Sequence, residues 1–255
     1  MAFQKQRIVV KVGTSTITHP SGAPNLRSIE RLARTLSDLQ GMGHEMILVS
    51  SGAIAVGTHK LGLAERPREL RFKQAAAAAG QCRLMYTYDK FFSEYNHTIG
   101  QILLTDEDVP IAERAAHLEA TFFALLEMGV IPIVNENDSV SSAEIETGQH
   151  KVLGDNDTLS AIVAKLCRAD LLVLLSDIDG LYDADPRSHP DARLLHRVTA
   201  LTEEIRQMAG GAGSWRGTGG MATKLSAAKI VMDAGCDMVI TNGARMEDLY
   251  GIAEG

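Results

Sequence analysis

Short apolar runs alternate with longer amphipathic segments along the chain, and this alternation predicts strands that are followed by helices. Residues Arg7 to Val12 are short, mostly β-branched and end at Gly13, which is typical of a buried strand. After Ser28, apolar residues recur at helical spacing until Gly41, which predicts an amphipathic helix. Further strands are predicted at 45–49, 97–104, 130–134, 171–175 and 238–241. Further helices are predicted at 53–61, 67–95 with an interruption near Gly80, 112–128, 157–167, 202–208 and 221–234.

This order of elements predicts an α/β fold. Short strands that are apolar along their whole length are typical of a mostly parallel sheet that is covered by helices on both faces. The sequence contains no repeat with a period of about 20 to 50 residues. No change in composition marks a linker, so residues 1–255 are predicted to form one domain.

Composition and charge narrow the classes of function. The 255 residues are 45% hydrophobic and 22% charged, as in an ordinary folded protein, and the formal net charge is −7. An acidic balance disfavours a nucleic-acid binder, which needs excess Lys and Arg. The three cysteines lie far apart and form no CxxC pair, so we expect neither a zinc site nor a disulfide framework. No apolar run approaches the roughly 18 residues that span a membrane, and the N-terminal apolar run is shorter than that of a signal peptide. A cytoplasmic protein without membrane or nucleic-acid partners is therefore predicted.

Glycine and hydroxyl residues follow the first two predicted strands, at 13–16 and at 50–53. In an open α/β sheet, ligands bind where the strands end, and glycines there let backbone N–H groups approach an anion. Such loops are also common as tight turns and helix caps, so both interpretations stay open for either loop alone. The sequence lacks GxxxxGK[ST], a GxGxxG after a strand, and the HRD and DFG motifs. Any ATP site is therefore of another kind.

Two lysines are candidates for binding a phosphoryl group. Lys11 lies in an apolar strand, where an unpaired ammonium would cost several kcal/mol to desolvate. It therefore either extends to solvent at the strand end or points into a cleft at the carboxyl edge of the sheet. Lys224 lies near the start of the last long helix, four residues after Gly220, and its alternative interpretation is an ordinary solvated helix lysine.

Two clusters of acidic and amide residues extend this set. NEND at 135–138 directly follows a predicted strand, and GDND at 154–157 directly precedes a predicted helix. Asp155 or Asn156 can simply cap that helix, which is the structural alternative. Acidic, amide and hydroxyl side chains also suit a ligand that carries an ammonium and a carboxylate, whereas lysines suit phosphoryl oxygens.

Seven segments, taken in order, resemble the motifs of the glutamate 5-kinases, which are members of the amino-acid kinase family. They are VVKVGTS (9–15), SSGAIAVG (50–57), GQILLT (100–105), VIPIVNENDSV (130–140), GDNDTLSA (154–161), LLSDIDGLYDADPR (174–187) and GTGGMATKLSAA (217–228). Acetylglutamate, aspartate, carbamate and uridylate kinases of the same family share the lysines and glycine loops, but the combination of NEND, GDND and TGGMATK indicates the glutamate enzymes. The resemblance implies a three-layer αβα sandwich with a mostly parallel sheet.

The resemblance also implies roles for the motif residues. Lys11 and Lys224 would flank the phosphoryl group in transfer, and Asp157 would orient both lysines. Residues implied in binding glutamate are Ser51, Gly52, Asn135, Asp138, Asp155 and Asn156. Residues implied in binding ATP are Lys11, Gly13, Ser176, Asp177, Thr218, Gly219, Gly220, Met221, Ala222, Thr223 and Lys224. Mg²⁺ would be carried mainly by the nucleotide phosphates, so no protein ligand for a metal is expected.

The implied reaction is transfer of a phosphoryl group from ATP to the γ-carboxylate of L-glutamate, the first step of proline biosynthesis. A carboxylate is already a nucleophile at neutral pH, so the reaction needs charge neutralisation and no general base. The family further implies proline as a feedback inhibitor and a homodimer or homotetramer. Many members carry a C-terminal PUA domain, for which 255 residues leave no room, so the sequence is interpreted as a short form or an excised catalytic domain. Residues 146–153 also make the substrate loop longer than the family pattern.

Two alternatives remain at the level of sequence. A kinase of the same fold can act on another acceptor, such as N-acetylglutamate, aspartate or UMP. A non-catalytic amino-acid sensor can keep the glutamate pocket without phosphoryl transfer. The presence of both Lys11 and Lys224 favours an enzyme, because a sensor has no use for them.

Overall fold

The computed structural model of the chain describes residues 4–140, 155–208 and 220–255, and these residues contain one sheet of six parallel strands. The strands are β1 (Arg7–Val12), β2 (Glu45–Val49), β3 (Ile99–Leu104), β4 (Ile131–Glu136), β5 (Leu171–Ser176) and β6 (Asp237–Asn242). Their order across the sheet is β3-β4-β2-β1-β5-β6, and each neighbouring pair is parallel. The predicted parallel α/β sheet is confirmed.

The described helices largely follow the amphipathic pattern. They are α1 (Thr14–Ile17), α2 (Leu26–Gly41), α3 (Ala53–Lys60), α4 (Leu70–Glu94), α5 (Ala112–Glu127), α6 (Asn156–Leu166), α7 (Glu203–Met208), α8 (Met221–Asp233) and α9 (Asp248–Glu254). The sequence analysis missed α1 and α9, which are too short to show clear periodicity. Its interruption of α4 near Gly80 was wrong, because the helix runs through that residue. No helix in the described ranges is both long and apolar enough to cross a membrane.

Helices cover both faces of the sheet, which confirms the αβα sandwich. Successive side chains of a strand point to opposite faces. Val10 of β1 accordingly lies in one apolar core with residues of α2, α4 and α9, whereas Val9 lies in a second core with residues of α5, α6 and α8. Both valines are fully buried. The central strand β1 thus contributes to both cores and is fixed firmly in the sheet.

The carboxyl ends of the parallel strands meet at one edge of the sheet. Lys11 lies near this edge in the central strand, paired in register with Val49 of β2 and Leu174 of β5. The loop after β2 enters α3 at Gly52, whose φ of 93° lies in the left-handed region that favours glycine. The end of β1 lies between the ends of β2 and β5, so the loops that follow these three strands are adjacent along this edge.

Two glycines allow α3 and α4 to pack with their backbones in contact. A Cβ atom on Gly57 would lie 1.7 Å from the carbonyl oxygen of Ala76, and one on Gly80 would lie 1.8 Å from that of Ala53. Any side chain at either position would therefore clash with the backbone of the other helix. This contact, rather than a break in the helix, explains Gly80.

We expect Gly80→Ala to lower the free energy of unfolding by about 3 kcal/mol, since the added methyl must push α3 and α4 apart. Gly251→Ala is the matched control, because Gly251 lies in α9 with no atom within 4 Å of the added Cβ. Alanine there is expected to be neutral or to stabilise by up to about 1 kcal/mol. Urea denaturation of both variants measures the difference, and equal stabilities would contradict the close contact.

Candidate active site

A buried carboxylate joins two lysines that come from distant parts of the chain. Lys11 Nζ of β1 lies 2.7 Å from Asp157 Oδ1, and Lys224 Nζ of α8 lies 2.9 Å from Asp157 Oδ2. The exposed fractions of the three side chains are 12%, 7% and 1% for Lys11, Lys224 and Asp157. The structure therefore brings together the three residues that the sequence analysis assigned to catalysis.

The charges in this cluster keep Asp157 ionised. Burial alone would raise the pKa of its carboxyl group, but the adjacent charges of Lys11 and Lys224 outweigh burial and hold the pKa below its usual value. The Thr223 hydroxyl lies 2.9 Å from Asp157 Oδ2 and adds a further polar contact. Two ammonium groups and one carboxylate leave a net charge of about +1, which suits an anionic ligand.

Asp155 places Asp157 by capping α6. The Asp155 side chain accepts hydrogen bonds from the backbone N–H of Asp157, at 2.7 Å, and of Thr158, at 3.2 Å. Capping satisfies two N–H groups that the helix leaves unpaired, and it fixes the first turn where Asp157 lies. Of the two interpretations of Asp155, the structure supports the cap. A contact between Asp155 and substrate stays a prediction.

The loops after β1 and β2 lie against each other. Ser51 Oγ donates to the carbonyl oxygen of Val12 at 3.1 Å, and Thr14 Oγ1 donates to Ser51 Oγ at 3.2 Å. A Cβ atom on Gly13 would lie 3.9 Å from Lys11 Nζ, so the backbone at Gly13 runs next to the ammonium group. The loop after β1 and the loop after β2 thus lie at the same edge of the sheet as the charged cluster.

Three side-chain amides link the acidic clusters to α4. Asn156 Nδ2 donates to the carbonyl oxygen of Ser50 at 2.7 Å and lies 3.4 Å from Asn135 Oδ1. Asn135 Nδ2 donates to Gln81 Oε1 at 3.0 Å. The sequence analysis included both asparagines but missed Gln81. A glutamine within a long helix carries no motif, and only the folded contacts single it out.

A cavity of about 280 Å³ lies beside these amides, between the start of α3, the middle of α4, β3 and the segment after β4. Its wall includes Gln81, Glu136 and the predicted substrate residue Asp138. A larger depression of about 570 Å³, lined by residues including Asp38, His97 and Tyr250, contains none of the predicted site residues. The smaller cavity is the one that belongs to the candidate site.

The predicted nucleotide residues of β5 lie at the same edge. Ser176 is the last residue of β5, next to Leu175, which pairs with Val12 of β1. Ser176 Oγ donates to Asp177 Oδ1 at 3.3 Å, and the Asp177 carboxylate also pairs with Arg187. This ion pair links the first residue after β5, Asp177, to Arg187 further along the same segment.

The other predicted nucleotide residues lie at the start of α8. Gly220 precedes the helix, and residues 221–224 form its first turn. Gly220 has no side chain with which to cap this end, so within the described residues the backbone N–H groups of the first turn remain suited to an anion. Thr218 and Gly219 lie outside the described residues.

The charged cluster does not suit a metal ion. Both carboxylate oxygens of Asp157 already contact ammonium groups, whereas a divalent cation needs oxygen ligands of its own. No group of three His, Cys, Asp or Glu residues in the described part of the chain is placed to hold a metal. Mg²⁺ bound through nucleotide phosphates stays a prediction.

Comparison with known proteins agrees with this geometry. The sequence model of the amino acid kinase family matches residues 6–242. Glutamate 5-kinase of Clostridium perfringens is 53% identical over 250 residues, which are 98% of this chain and 92% of that protein. The chain belongs to the glutamate 5-kinases of the amino acid kinase family. The resemblance that the motifs indicated is therefore confirmed, and the chain is an enzyme of the kinase class.

Two further comparisons support the family and the fold. Glutamate 5-kinase of Clostridium tetani is 54% identical over 250 residues, covering 98% of this chain and 91% of that protein. Carbamate kinase from Giardia lamblia, solved with AMP-PNP bound, superposes with a TM-score of 0.66 over 97% of this chain and 96% of that chain. Its sequence identity is 14%, so this likeness concerns the fold alone.

We expect Asp157→Asn to lower the free energy of unfolding near pH 7 by about 3–5 kcal/mol, because two largely buried ammonium groups each lose an ion pair with this carboxylate. A carboxyl group whose pKa is lower in the folded state stabilises the protein above its unfolded pKa of about 3.9. That contribution is lost as the pH falls through the folded pKa. The difference between variant and wild type should therefore narrow below about pH 4.

Urea denaturation at about pH 7 and about pH 3 tests this pH dependence. Asp89→Asn is the control, since Asp89 is exposed on α4. We expect that variant to follow the wild type at both pH values. A deficit for Asp157→Asn that is equal at both would contradict the assigned charge interaction.

Proposed function

We propose that this enzyme transfers the γ-phosphoryl group of ATP to the γ-carboxylate of L-glutamate, giving γ-glutamyl phosphate and ADP, the first step of proline biosynthesis. The observation that carries the proposal is the contact of Lys11 and Lys224 with one buried carboxylate at the carboxyl edge of the sheet. The similarity to glutamate 5-kinases over nearly the whole chain supports glutamate as the acceptor.

In the proposed reaction, a γ-carboxylate oxygen of glutamate attacks the γ-phosphorus of ATP. The new oxygen–phosphorus bond forms as the bond between the γ-phosphorus and the bridging oxygen breaks, and ADP leaves with that electron pair. No proton needs to be removed, since the carboxylate is ionised at neutral pH. The main barrier is the approach of two anions and the charge on the transferred group.

Lys11 and Lys224 lower this barrier in the proposal. Their ammonium groups contact the transferred phosphoryl oxygens and neutralise charge as it develops. Asp157 holds both ammonium groups in place, so they need little reorganisation during the reaction. Asp157 is therefore a positioning residue in this scheme, and neither a histidine nor a protein nucleophile takes part.

The nucleotide binds along β5 and α8 in the proposal. The first turn of α8 and the backbone at Gly13 bind phosphate oxygens, while Ser176 and Asp177 contact the rest of ATP. Mg²⁺ held by the phosphates supplies additional charge neutralisation.

Glutamate binds between the loop after β2 and the acidic clusters. Ser51, with Gly52, contacts the substrate from the loop. Asp138 binds its ammonium group, and Asn156 accepts from the same group through Oδ1, because its Nδ2 donates to Ser50. Asn135 and Asp155 support these residues through the hydrogen bonds described above.

The proposal includes the properties that the family resemblance implies. These are inhibition by proline, assembly as a homodimer or homotetramer, a cytoplasmic location, and residues 1–255 acting as one catalytic domain. Each is separately open to measurement, by inhibition kinetics, by light scattering, by fractionation and by limited proteolysis.

A hydroxamate assay tests the reaction. Hydroxylamine traps an acyl phosphate as a hydroxamate, so ATP, Mg²⁺ and glutamate should together yield γ-glutamyl hydroxamate. N-acetylglutamate, aspartate and UMP serve as alternative acceptors, with ADP release as the readout that all acceptors share. Faster ADP release with one of these acceptors than with glutamate would overturn the proposed substrate.

We expect Lys224→Ala to lower kcat by about 100- to 1,000-fold, because an ammonium group that stabilises the transferred phosphoryl group is lost. Lys229→Ala is the matched control, since Lys229 is exposed on the same helix. Circular dichroism checks that both variants are folded. Turnover near the wild-type value in folded Lys224→Ala protein would remove this lysine from the mechanism.

A further inference from the structure

Two backbone groups fix the orientation of the three linked amides. The N–H of Glu136 can only donate, and it lies 2.9 Å from Asn135 Oδ1. The carbonyl oxygen of Ser50 can only accept, and it lies 2.7 Å from Asn156 Nδ2. The Nδ2 group of Asn135 therefore points towards Gln81. Since Nδ2 can only donate, the Gln81 atom that lies 3.0 Å from it is the acceptor Oε1.

This orientation leaves the Nε2 amide as the remaining polar group of Gln81. Gln81 is half-buried in α4 and lines the cavity of about 280 Å³, together with the acidic residues Glu136 and Asp138. The only hydrogen bond of its side chain to the described residues is the one that Oε1 accepts from Asn135. Gln81 thus brings two neutral N–H donors to a cavity that also contains Gln101, Asn137 and Ser139 beside its two acidic residues. Of these neutral side chains, Gln81 is the one that the amide network orients from α4.

We propose that Gln81 donates a hydrogen bond to the α-carboxylate of the acceptor substrate and so selects for a free α-amino acid. This inference rests on the proposed function, because it concerns the end of glutamate that does not react. In the proposed function the γ-carboxylate lies at Lys11 and Lys224, and the ammonium lies at Asp138, which lines the cavity. The α-carboxylate is bonded to the same carbon as the ammonium and therefore lies in the cavity as well.

The charges of the cavity explain why this donor matters. Glu136 and Asp138 attract the substrate ammonium but repel its α-carboxylate. A carboxylate at this position needs a donor to offset that repulsion, and a hydrogen bond to a charged group is stronger than one between neutral groups. Gln81 supplies the donor without adding another charge.

The substitution Gln81→Glu separates this role from a structural one. A glutamate side chain keeps an oxygen to accept from Asn135 Nδ2, but it places a second oxygen where Nε2 was. The variant therefore retains the amide network and repels an α-carboxylate. Lys90→Gln is the matched control, because it changes the net charge by the same amount at an exposed position of the same helix.

The experiment compares L-glutamate with its α-amide, which keeps the reacting γ-carboxylate but has no charge at the α-carbonyl. We expect Gln81→Glu to raise KM for glutamate by about 10- to 100-fold, the equivalent of losing a hydrogen bond to a charged group. The values of kcat and of KM for ATP should change by less than about threefold, and so should KM for the α-amide. Lys90→Gln should match the wild type with both acceptors.

The outcomes distinguish this inference from the proposed function. An unchanged KM for glutamate in Gln81→Glu would mean that Gln81 only supports Asn135, and it would overturn the inference while leaving the proposed function intact. An equal rise in KM for glutamate and its α-amide would also overturn it. Wild-type protein that forms no hydroxamate from glutamate would overturn the proposed function itself, before any variant is compared.

Discussion

The ion pairs between Asp157 and two lysines are the constraint on which the site depends. A single carboxylate of such low exposure balances Lys11 and Lys224, which would otherwise be costly to keep out of water. The remaining positive charge is thereby held at one point, at the end of the central strand. Lys11, Asp157 and Lys224 come from β1, α6 and α8, which are far apart in sequence. The ion pairs can therefore form only after these three elements have packed together.

The parallel sheet makes this convergence possible. All six described strands point the same way, so the loops that follow β1, β2, β4 and β5 gather at one edge. Helices α6 and α8 pack on the same face of the sheet and begin near that edge, with Asp157 and Lys224 in their first turns. Backbone N–H groups, a capping carboxylate and two ammonium groups are thus concentrated in a small volume.

The sequence predicted the sheet and its carboxyl-edge loops well, because a short, apolar, β-branched run such as 7–12 has few structural alternatives to a buried strand. Lys11 stood out for the same reason, as a charge within an apolar strand. The pairing of both lysines with Asp157 followed from the family resemblance, since spacing alone does not reveal a contact over 67 residues. Gln81 carried no local signal. Gly80 carried a misleading one, because a glycine within a helix marks either a break or a close contact, and only tertiary packing decides which.

The glycine contact between α3 and α4 has a consequence for the shape of the cavity beside the amides. Gly80 immediately precedes Gln81, and its close neighbour is the backbone of Ala53, while Gln81 and Ala53 both line the cavity of about 280 Å³. The spacing of α3 and α4 beside that cavity is therefore set by two main chains in contact. Moving α3 and α4 apart would require a whole helix to shift, whereas side chains such as Met85 and Leu103 limit the cavity elsewhere along its wall.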